Sequence, residues 1–167
     1  MAKGPAYKVK FRRFREGKTD YHLRLGLLKY GKPRAIVRIS NKYITVQFAE
    51  YSPQGDKIIS STWSKELKIL GWKYSCKSVP AAYLTGYYAG LKAKKLNILE
   101  TVVDIGLKNP TKGARIFAVV KGLLNAGLKV PHNSEIFPSE ERIYGTHINK
   151  DIKKEMDILK QNLDTAL

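Results

Sequence analysis

The sequence is poor in cysteine and has no long apolar run. Its one cysteine, Cys76, can form no disulfide within the chain, and no paired cysteine and histidine spacing indicates a structural zinc site. These absences exclude a secreted disulfide scaffold and a zinc ribbon, and they predict a reducing cytoplasm as the location. The longest apolar run, residues 116–120, is far shorter than the roughly 18 residues of a membrane span. The basic N-terminus lacks an apolar targeting segment, so we expect no membrane partner.

Acidic residues are also scarce. The 167 residues include 14 Asp and Glu against 31 Lys and Arg, which gives a net charge of +17. Such an excess destabilises a compact monomer through self-repulsion unless a polyanion neutralises it. The 43% of hydrophobic residues still supply a core, since a chain of this size buries roughly 68–70% of its unfolded surface. A folded domain that binds nucleic acid is therefore predicted.

The positive charge is concentrated near the N-terminus. Residues 1–42 carry a net charge of +11, residues 43–133 carry +8, and residues 134–167 carry −2. The first 20 residues combine many like charges with glycine and proline, which predicts an arm that becomes ordered on its partner. We therefore divide the chain into a basic RNA-binding arm (1–20), an α/β domain (21–148) and an amphipathic C-terminal helix (149–167).

Turn residues and apolar periodicity predict the elements of the domain. Thr19 or Asp20 caps a first helix, and Ser78 caps a longer one in which Ala82, Gly86 and Gly90 recur every four residues. This small-residue stripe predicts close packing of the helix on a sheet, with simple flexibility as the alternative. The predicted elements are a helix over 21–29, an antiparallel meander over 34–40, 43–48 and 57–62, helices over 64–70 and from 78, a strand over 99–105 and a helix over 113–125. Their order is typical of an α/β layered domain.

Catalytic signals are weak. A metal-dependent nuclease needs several clustered carboxylates, and beside Asp104 only Glu100 is near in sequence. We predict instead that Asp104 caps a loop or pairs with a basic residue. No histidine is placed beside Cys76 by the sequence, and no glycine-rich phosphate-binding motif is present. The sequence predicts no catalytic residue, no metal ligand and no cofactor.

RNA-binding signals are stronger. The arm interleaves cations with aromatic side chains over residues 7–15, a pattern that neutralises phosphates and stacks on unpaired bases; a non-specific solvated tail is the alternative. Basic residues extend this surface onto the first hairpin, unless they are scattered solvated charges. Residues 109–115 form a turn that opens a helix, where a phosphate site and an ordinary helix start are equally compatible. The candidate RNA-binding residues are Lys8, Lys10, Phe11, Arg12, Arg13, Arg15, Lys18, Tyr21, Arg24, Arg34, Arg38, Asn41, Lys42, Thr111, Lys112 and Arg115.

Four ordered motifs resemble those of a ribosomal protein family. They are KFRRFREGKTDY at residues 10–21, PAAYLTG at 80–86, PTKGARIF at 110–117 and FPSEERI at 137–143. Together they are similar to the archaeal and eukaryotic branch of the universal L-eighteen family, the large-subunit ribosomal protein that binds 5S ribosomal RNA. Phe14 departs from a usually basic position of the family, which favours stacking or packing there.

The resemblance implies both a fold and a role. The implied fold is a mixed five-stranded sheet with flanking helices, similar in topology to ribonuclease H but not catalytic. The implied role is to attach 5S ribosomal RNA to the large-subunit (23S-type) ribosomal RNA in the central protuberance, beside neighbouring ribosomal proteins and without forming a homo-oligomer. The arm cations that match the family motif inherit RNA binding: Lys10, Arg12, Arg13, Arg15 and Lys18. A non-ribosomal RNA-binding protein or RNA chaperone is the alternative.

The C-terminal segment has a separate pattern. Ile152, Met156, Leu159 and Leu163 fall on one face of a predicted helix. Because this part of the chain has a net negative charge, we expect the stripe to pack on protein and not on RNA. Its own domain and a neighbouring protein are both possible partners.

Overall fold

The computed structural model describes residues 4–166, which form one α/β fold around a mixed four-stranded sheet. Residues 1–3 of the predicted arm and residue 167 of the predicted C-terminal helix lie outside the described residues. The strands are β1 (Arg34–Ile39), β2 (Ile44–Glu50), β3 (Lys57–Trp63) and β4 (Val102–Asp104). The helices are α1 (Arg12–Arg15), α2 (Tyr21–Lys29), α3 (Glu66–Ile69), α4 (Val79–Lys95), α5 (Arg115–Asn125), α6 (Glu140–Tyr144) and α7 (Asp151–Ala166), with one 3-10 turn at Ser134–Ile136.

The first three strands form the predicted antiparallel meander. Val37 of β1 pairs with Val46 of β2, and β3 lies on the other side of β2. Strand β4 is parallel to β1, with Val103 opposite Ala35, so the sheet order is β3-β2-β1-β4. The apolar side chains that alternate along β1 and β2 are buried in the core, which explains the period of two in the sequence.

The described residues form four strands and not the five that the resemblance implied. Beside β4 there is a single parallel bridge, in which Lys129 N–H donates to the Leu99 carbonyl at 2.8 Å and Thr101 N–H donates to the Lys129 carbonyl at 3.0 Å. This bridge occupies the first residues of the strand predicted over 99–105, so β4 is shorter than expected. The ribonuclease H-like topology is not confirmed.

Helix α4 begins at the predicted Ser78 cap, but its small-residue stripe does not pack as predicted. The Ser78 hydroxyl accepts a hydrogen bond from the Ala81 N–H at 3.3 Å. A Cβ atom on Gly86 would overlap the Val119 carbonyl, and one on Gly90 would lie 2.5 Å from the Ala126 Cβ. Both neighbours are in or directly after α5. The stripe therefore permits close helix-helix packing, and α4 also lies against β2 and β3 of the sheet.

The C-terminal helix α7 folds back onto its own domain. All four stripe residues, Ile152, Met156, Leu159 and Leu163, are buried against the rest of the chain, where α7 contacts α4 and α6. The Tyr87 hydroxyl donates a 2.7 Å hydrogen bond to Asp164, and the Lys160 ammonium lies 4.7 Å from the ring centroid of Tyr83. Of the two predicted partners for the stripe, the structure shows its own domain. No helix within residues 4–166 is long and apolar enough to cross a membrane.

Candidate nucleic-acid interface

The arm lies beside helix α2 because local contacts at their junction hold the two segments together. The Asp20 carboxylate caps α2 by accepting hydrogen bonds from the N–H groups of His22 at 2.9 Å and Leu23 at 3.1 Å. Thr19, the other predicted cap, instead accepts a 3.0 Å hydrogen bond from Arg13 Nε. The ring of Phe11 lies 5.3 Å from that of Tyr21. These contacts keep the short helix α1 next to α2.

A groove forms where the arm, α2, β1 and the loop after β4 meet, and we call it the arm groove. Its cations are Arg13, Lys18, Arg24 and Arg38; its other lining residues are Thr19, Asp20, Leu23, Leu27, Asp104, Gly106 and Leu107. The four cations come from sequence positions up to 25 residues apart. The structure therefore brings together four of the predicted RNA-binding residues.

Arg34, in contrast, is not at the surface. Its side chain is 1% exposed, and its guanidinium lies 2.5 Å from an Asp56 oxygen and 3.1 Å from an Asp104 oxygen. A buried cation needs such compensation because its desolvation is costly. The prediction that Arg34 contacts RNA is wrong, since the side chain cannot be reached from outside.

Arg24 and Arg38 share the two carboxylates that surround Arg34. Arg24 lies 2.8 Å from Asp56, and Arg38 donates to the Asp104 carboxylate at 2.9 Å and to its backbone carbonyl at 2.7 Å. Burial by itself would raise the pKa of Asp56, but hydrogen bonds and charge from Arg24 and Arg34 hold that pKa below its ordinary value. Three guanidinium groups on two carboxylates leave the network positive. The side chain of Arg38 remains 48% exposed at the groove.

These contacts also account for Asp104. Its carboxylate accepts hydrogen bonds from Arg34 and Arg38 and from the Gly106 N–H at 2.8 Å, which confirms the prediction that it pairs with basic residues and caps a loop. Within residues 4–166, no three His, Cys, Asp or Glu side chains are grouped so that they could hold a metal ion.

Most of the other arm residues present their side chains to solvent. Phe11 is 73% exposed, whereas Phe14 is half-buried beneath the Lys10 ammonium, 4.4 Å from the ring centroid. Glu16 lies 2.8 Å from Lys18 and 3.8 Å from Arg12, but exposed pairs of this kind contribute little and exchange easily for phosphate. The exposed arm cations are Lys8, Lys10, Arg12, Arg13, Arg15 and Lys18.

The remaining candidates lie near the turn between β1 and β2. Asn41, Thr111 and Arg115 line a second groove, and Arg115 donates a 3.2 Å hydrogen bond to the Lys77 carbonyl. Lys112 instead lies 3.6 Å from Glu135 at the surface. Helix α5 begins at Arg115 without a side-chain cap. Phosphate binding at this helix start stays a prediction.

Lys42 lies in a third groove, with residues that the sequence did not single out. The lining residues are Asn41, Lys42, Tyr43, Lys68, Tyr74, Ser75, Cys76 and Lys77. Lysines at positions 68 and 77 were visible in the sequence, but no local pattern places them beside residue 42. Cys76 is buried, and burial raises the pKa of its thiol, so the sulfur is not activated as a nucleophile.

Comparison with known proteins identifies the family. The model of the family described as "Ribosomal large subunit proteins 60S L5, and 50S L18" matches residues 5–100 and 92–133. The large ribosomal subunit protein uL18 of Korarchaeum cryptofilum is 55% identical over 148 residues, which cover 89% of this chain and 76% of the relative. The uL18 protein of Aeropyrum pernix is 51% identical over 89% of this chain and 70% of its own length. That of Methanococcus maripaludis is 46% identical over 100% of this chain and 88% of its own length.

Both kinds of comparison agree with the predicted resemblance. The family match includes the arm from residue 5 onward, the sheet and helix α5. Proteins of this family are structural and not enzymatic, in agreement with the prediction that the chain has no catalytic residues. The chain therefore belongs to the uL18 family of large-subunit ribosomal proteins.

Proposed function

We propose that this ribosomal protein binds 5S ribosomal RNA through the arm and the arm groove, and attaches it to the large-subunit (23S-type) RNA in the central protuberance. The observation that carries the proposal is the convergence of Arg13, Lys18, Arg24 and Arg38 on one groove, together with the exposed ring of Phe11 on the same arm. Cations bind the phosphates of paired and unpaired RNA alike, whereas an exposed ring stacks only on unpaired bases. The site thus fits an RNA that has loops beside its helices.

The charges at this site are available for phosphate. Asp56 and Asp104 hold the guanidinium groups of Arg24 and Arg38 in place without neutralising the network. Fixed cations lose less conformational freedom on binding than mobile ones. The cations of the arm and groove that we expect to contact RNA are Lys8, Lys10, Arg12, Arg13, Arg15, Lys18, Arg24 and Arg38. If they neutralise about eight phosphates, a plot of log Kd against log salt concentration should have a slope of about 6–7.

The test compares 5S ribosomal RNA with an unrelated RNA of equal length, using filter binding at several salt concentrations. Replacing Arg12, Arg13 and Arg15 with Ala should weaken 5S RNA binding by several kcal/mol, since charge-assisted contacts contribute about 1.5–3 kcal/mol each before non-additivity. The matched control replaces three exposed lysines outside the groove, Lys94, Lys95 and Lys154, with Ala. The arm variant and the control then have the same net charge. Equal losses in both variants, or equal affinity for the unrelated RNA, contradict the proposal; the second result favours an RNA chaperone.

A further inference from the structure

A second basic and aromatic surface lies at the end of the β1-β2 hairpin, and we call it the hairpin-tip surface. It consists of the groove around Lys42 together with the adjoining end of β3: Asn41, Lys42, Tyr43, Trp63, Lys65, Lys68, Tyr74 and Lys77. Its groove shares no lining residue with the arm groove. Five of these eight side chains come from residues 63–77, a stretch in which no local pattern predicted RNA binding.

The surface is held in place by backbone hydrogen bonds. The Ser40 N–H donates to the Tyr43 carbonyl at 2.8 Å, and the Tyr43 N–H donates to the Ser40 hydroxyl at 2.9 Å, so the turn is closed. The Ile44 N–H donates to the buried Ser64 hydroxyl at 2.9 Å, and the Ser64 N–H donates to the Ile44 carbonyl at 2.9 Å. These bonds fix the end of β3 against the hairpin. The backbone that carries Tyr43 and Trp63 is thereby pre-organised.

Its positive charge is not compensated. Lys42, Lys65, Lys68 and Lys77 are exposed, and among the described residues no carboxylate lies within 4.0 Å of their ammonium groups. Glu66, the acidic residue within this stretch, is already occupied: it lies 2.8 Å from Lys92 and accepts the Trp63 N–H at 2.8 Å. Four exposed lysines without a carboxylate contact in the described part of the chain attract a polyanion.

Its aromatic side chains indicate which polyanion. Trp63 is 41% exposed, and its ring centroid lies 5.1 Å from that of Tyr43, which orients it; Lys65 lies 5.4 Å from the same ring. Tyr74 packs edge-on against the buried ring of Trp72. Lysines alone would serve a duplex or an acidic peptide equally well. A half-exposed, fixed indole beside them is suited to a base that is not paired.

We propose that the hairpin-tip surface binds an unpaired segment of RNA, with a base stacked on Trp63 and phosphates on Lys42, Lys68 and Lys77. This site goes beyond the proposed function, which uses the arm groove. It gives the protein a second place to hold RNA, independent of the arm.

The test uses the full-length chain with Arg12, Arg13 and Arg15 replaced by Ala, so that the arm contributes little. A ten-nucleotide single-stranded oligouridine with a 5′ fluorescein label is the probe. Its fluorescence anisotropy measures binding in every variant, and quenching of tryptophan fluorescence reports stacking in the chains that keep Trp63. Because Trp72 is buried, Trp63 is the one of the two tryptophans on which a bound base can stack and quench fluorescence. Oligouridine should quench the fluorescence, Trp63→Ala should weaken binding about tenfold, and Trp63→Phe should weaken it much less. Replacing Lys42, Lys68 and Lys77 with Gln should reduce the log-log salt slope by about 2, whereas the same change at Lys94, Lys95 and Lys154 should not.

Other outcomes overturn the inference. Unchanged oligouridine binding in Trp63→Ala does so, as does equal binding and quenching by an RNA duplex of the same length. If polyglutamate of equal charge competes as well as oligouridine, and only the lysines matter, the partner is an acidic protein. If Trp63→Ala has a lower Tm than the unmodified chain, the binding of Trp63→Phe and of the lysine variant tests the inference instead. All these measurements use the arm-substituted chain. Quenching there would support this site even if the arm does not bind 5S RNA.

Discussion

Replacing Arg34 with Met removes the buried guanidinium between Asp56 and Asp104. Breaking a buried ion pair from one side typically costs about 3–5 kcal/mol, because the remaining charge is left unpaired in a desolvated site. Here each carboxylate keeps another partner, Arg24 at 2.8 Å and Arg38 at 2.9 Å. We therefore expect the lower end of the range, about 3 kcal/mol. Methionine keeps most of the aliphatic volume, so little of this loss arises from a cavity.

The assay is urea unfolding followed by circular dichroism. Arg34→Met should lower the midpoint without changing the slope, and the Tm should fall by about 6–12 °C, since 1 kcal/mol shifts a chain of this size by about 2–4 °C. Arg38→Met is the matched control, because that side chain is half exposed and its loss should cost less than about 1 kcal/mol. Adding Asp104→Asn to Arg34→Met should recover part of the stability, since it removes one of the charges left behind.

Binding measurements on the same proteins separate the two arginines. Per folded molecule, Arg34→Met should bind 5S ribosomal RNA as the unmodified chain does, while Arg38→Met should bind less tightly. The reasoning is refuted if Arg34→Met is as stable as the unmodified chain to within about 0.5 kcal/mol, the usual range of surface substitutions, and loses RNA affinity. That result would place Arg34 at the surface, as its sequence context alone suggested.

Three further predictions concern the helices. Gly86→Ala should lower the free energy of unfolding by about 2–3 kcal/mol in urea titrations, because the new Cβ overlaps the Val119 carbonyl, whereas Gly26→Ala, in open space, should leave it equal or raise it by up to about 1 kcal/mol. Truncation after residue 149 should lower the Tm in a thermal melt, because four buried apolar side chains of α7 are lost. Tyr87→Phe should cost about 1 kcal/mol at pH 7 in urea titrations, because the hydrogen bond to Asp164 is lost. Burial and that hydrogen bond raise the pKa of Tyr87 to about 12 from 10.0. The unfolded chain therefore loses this proton first, and the stability difference between Tyr87→Phe and the unmodified chain should shrink from pH 10 to 12.

Each of these three predictions has an opposing result. Equal stability of Gly86→Ala and Gly26→Ala would mean that α4 and α5 are not in close contact. An unchanged Tm after truncation, with weaker incorporation into the large subunit, would indicate that α7 docks on a neighbouring ribosomal protein. A stability difference for Tyr87→Phe that is the same at pH 7 and pH 12 would show that the phenol and Asp164 are not hydrogen-bonded.

The local elements and the class of partner could be predicted from the sequence. Caps at Asp20 and Ser78 and the period of two in β2 depend on neighbours within a few positions, and the excess of basic residues is a count over the chain. Such signals are readable because the backbone geometry that they satisfy is local. The helical spacing of the α7 stripe likewise predicted that this face would be covered by protein.

The tertiary structure alone decided which surfaces meet. Arg34 and Arg38 lie on the same strand four residues apart, yet Arg34 is buried between Asp56 and Asp104, whereas Arg38 is half exposed and pairs with Asp104 alone. The glycines of α4 face α5 instead of the sheet, α7 returns to its own domain, and residues 68–77 reach the hairpin turn. These outcomes depend on contacts between residues far apart in the chain, and the free energy of such contacts is set by burial and charge pairing that no local pattern contains.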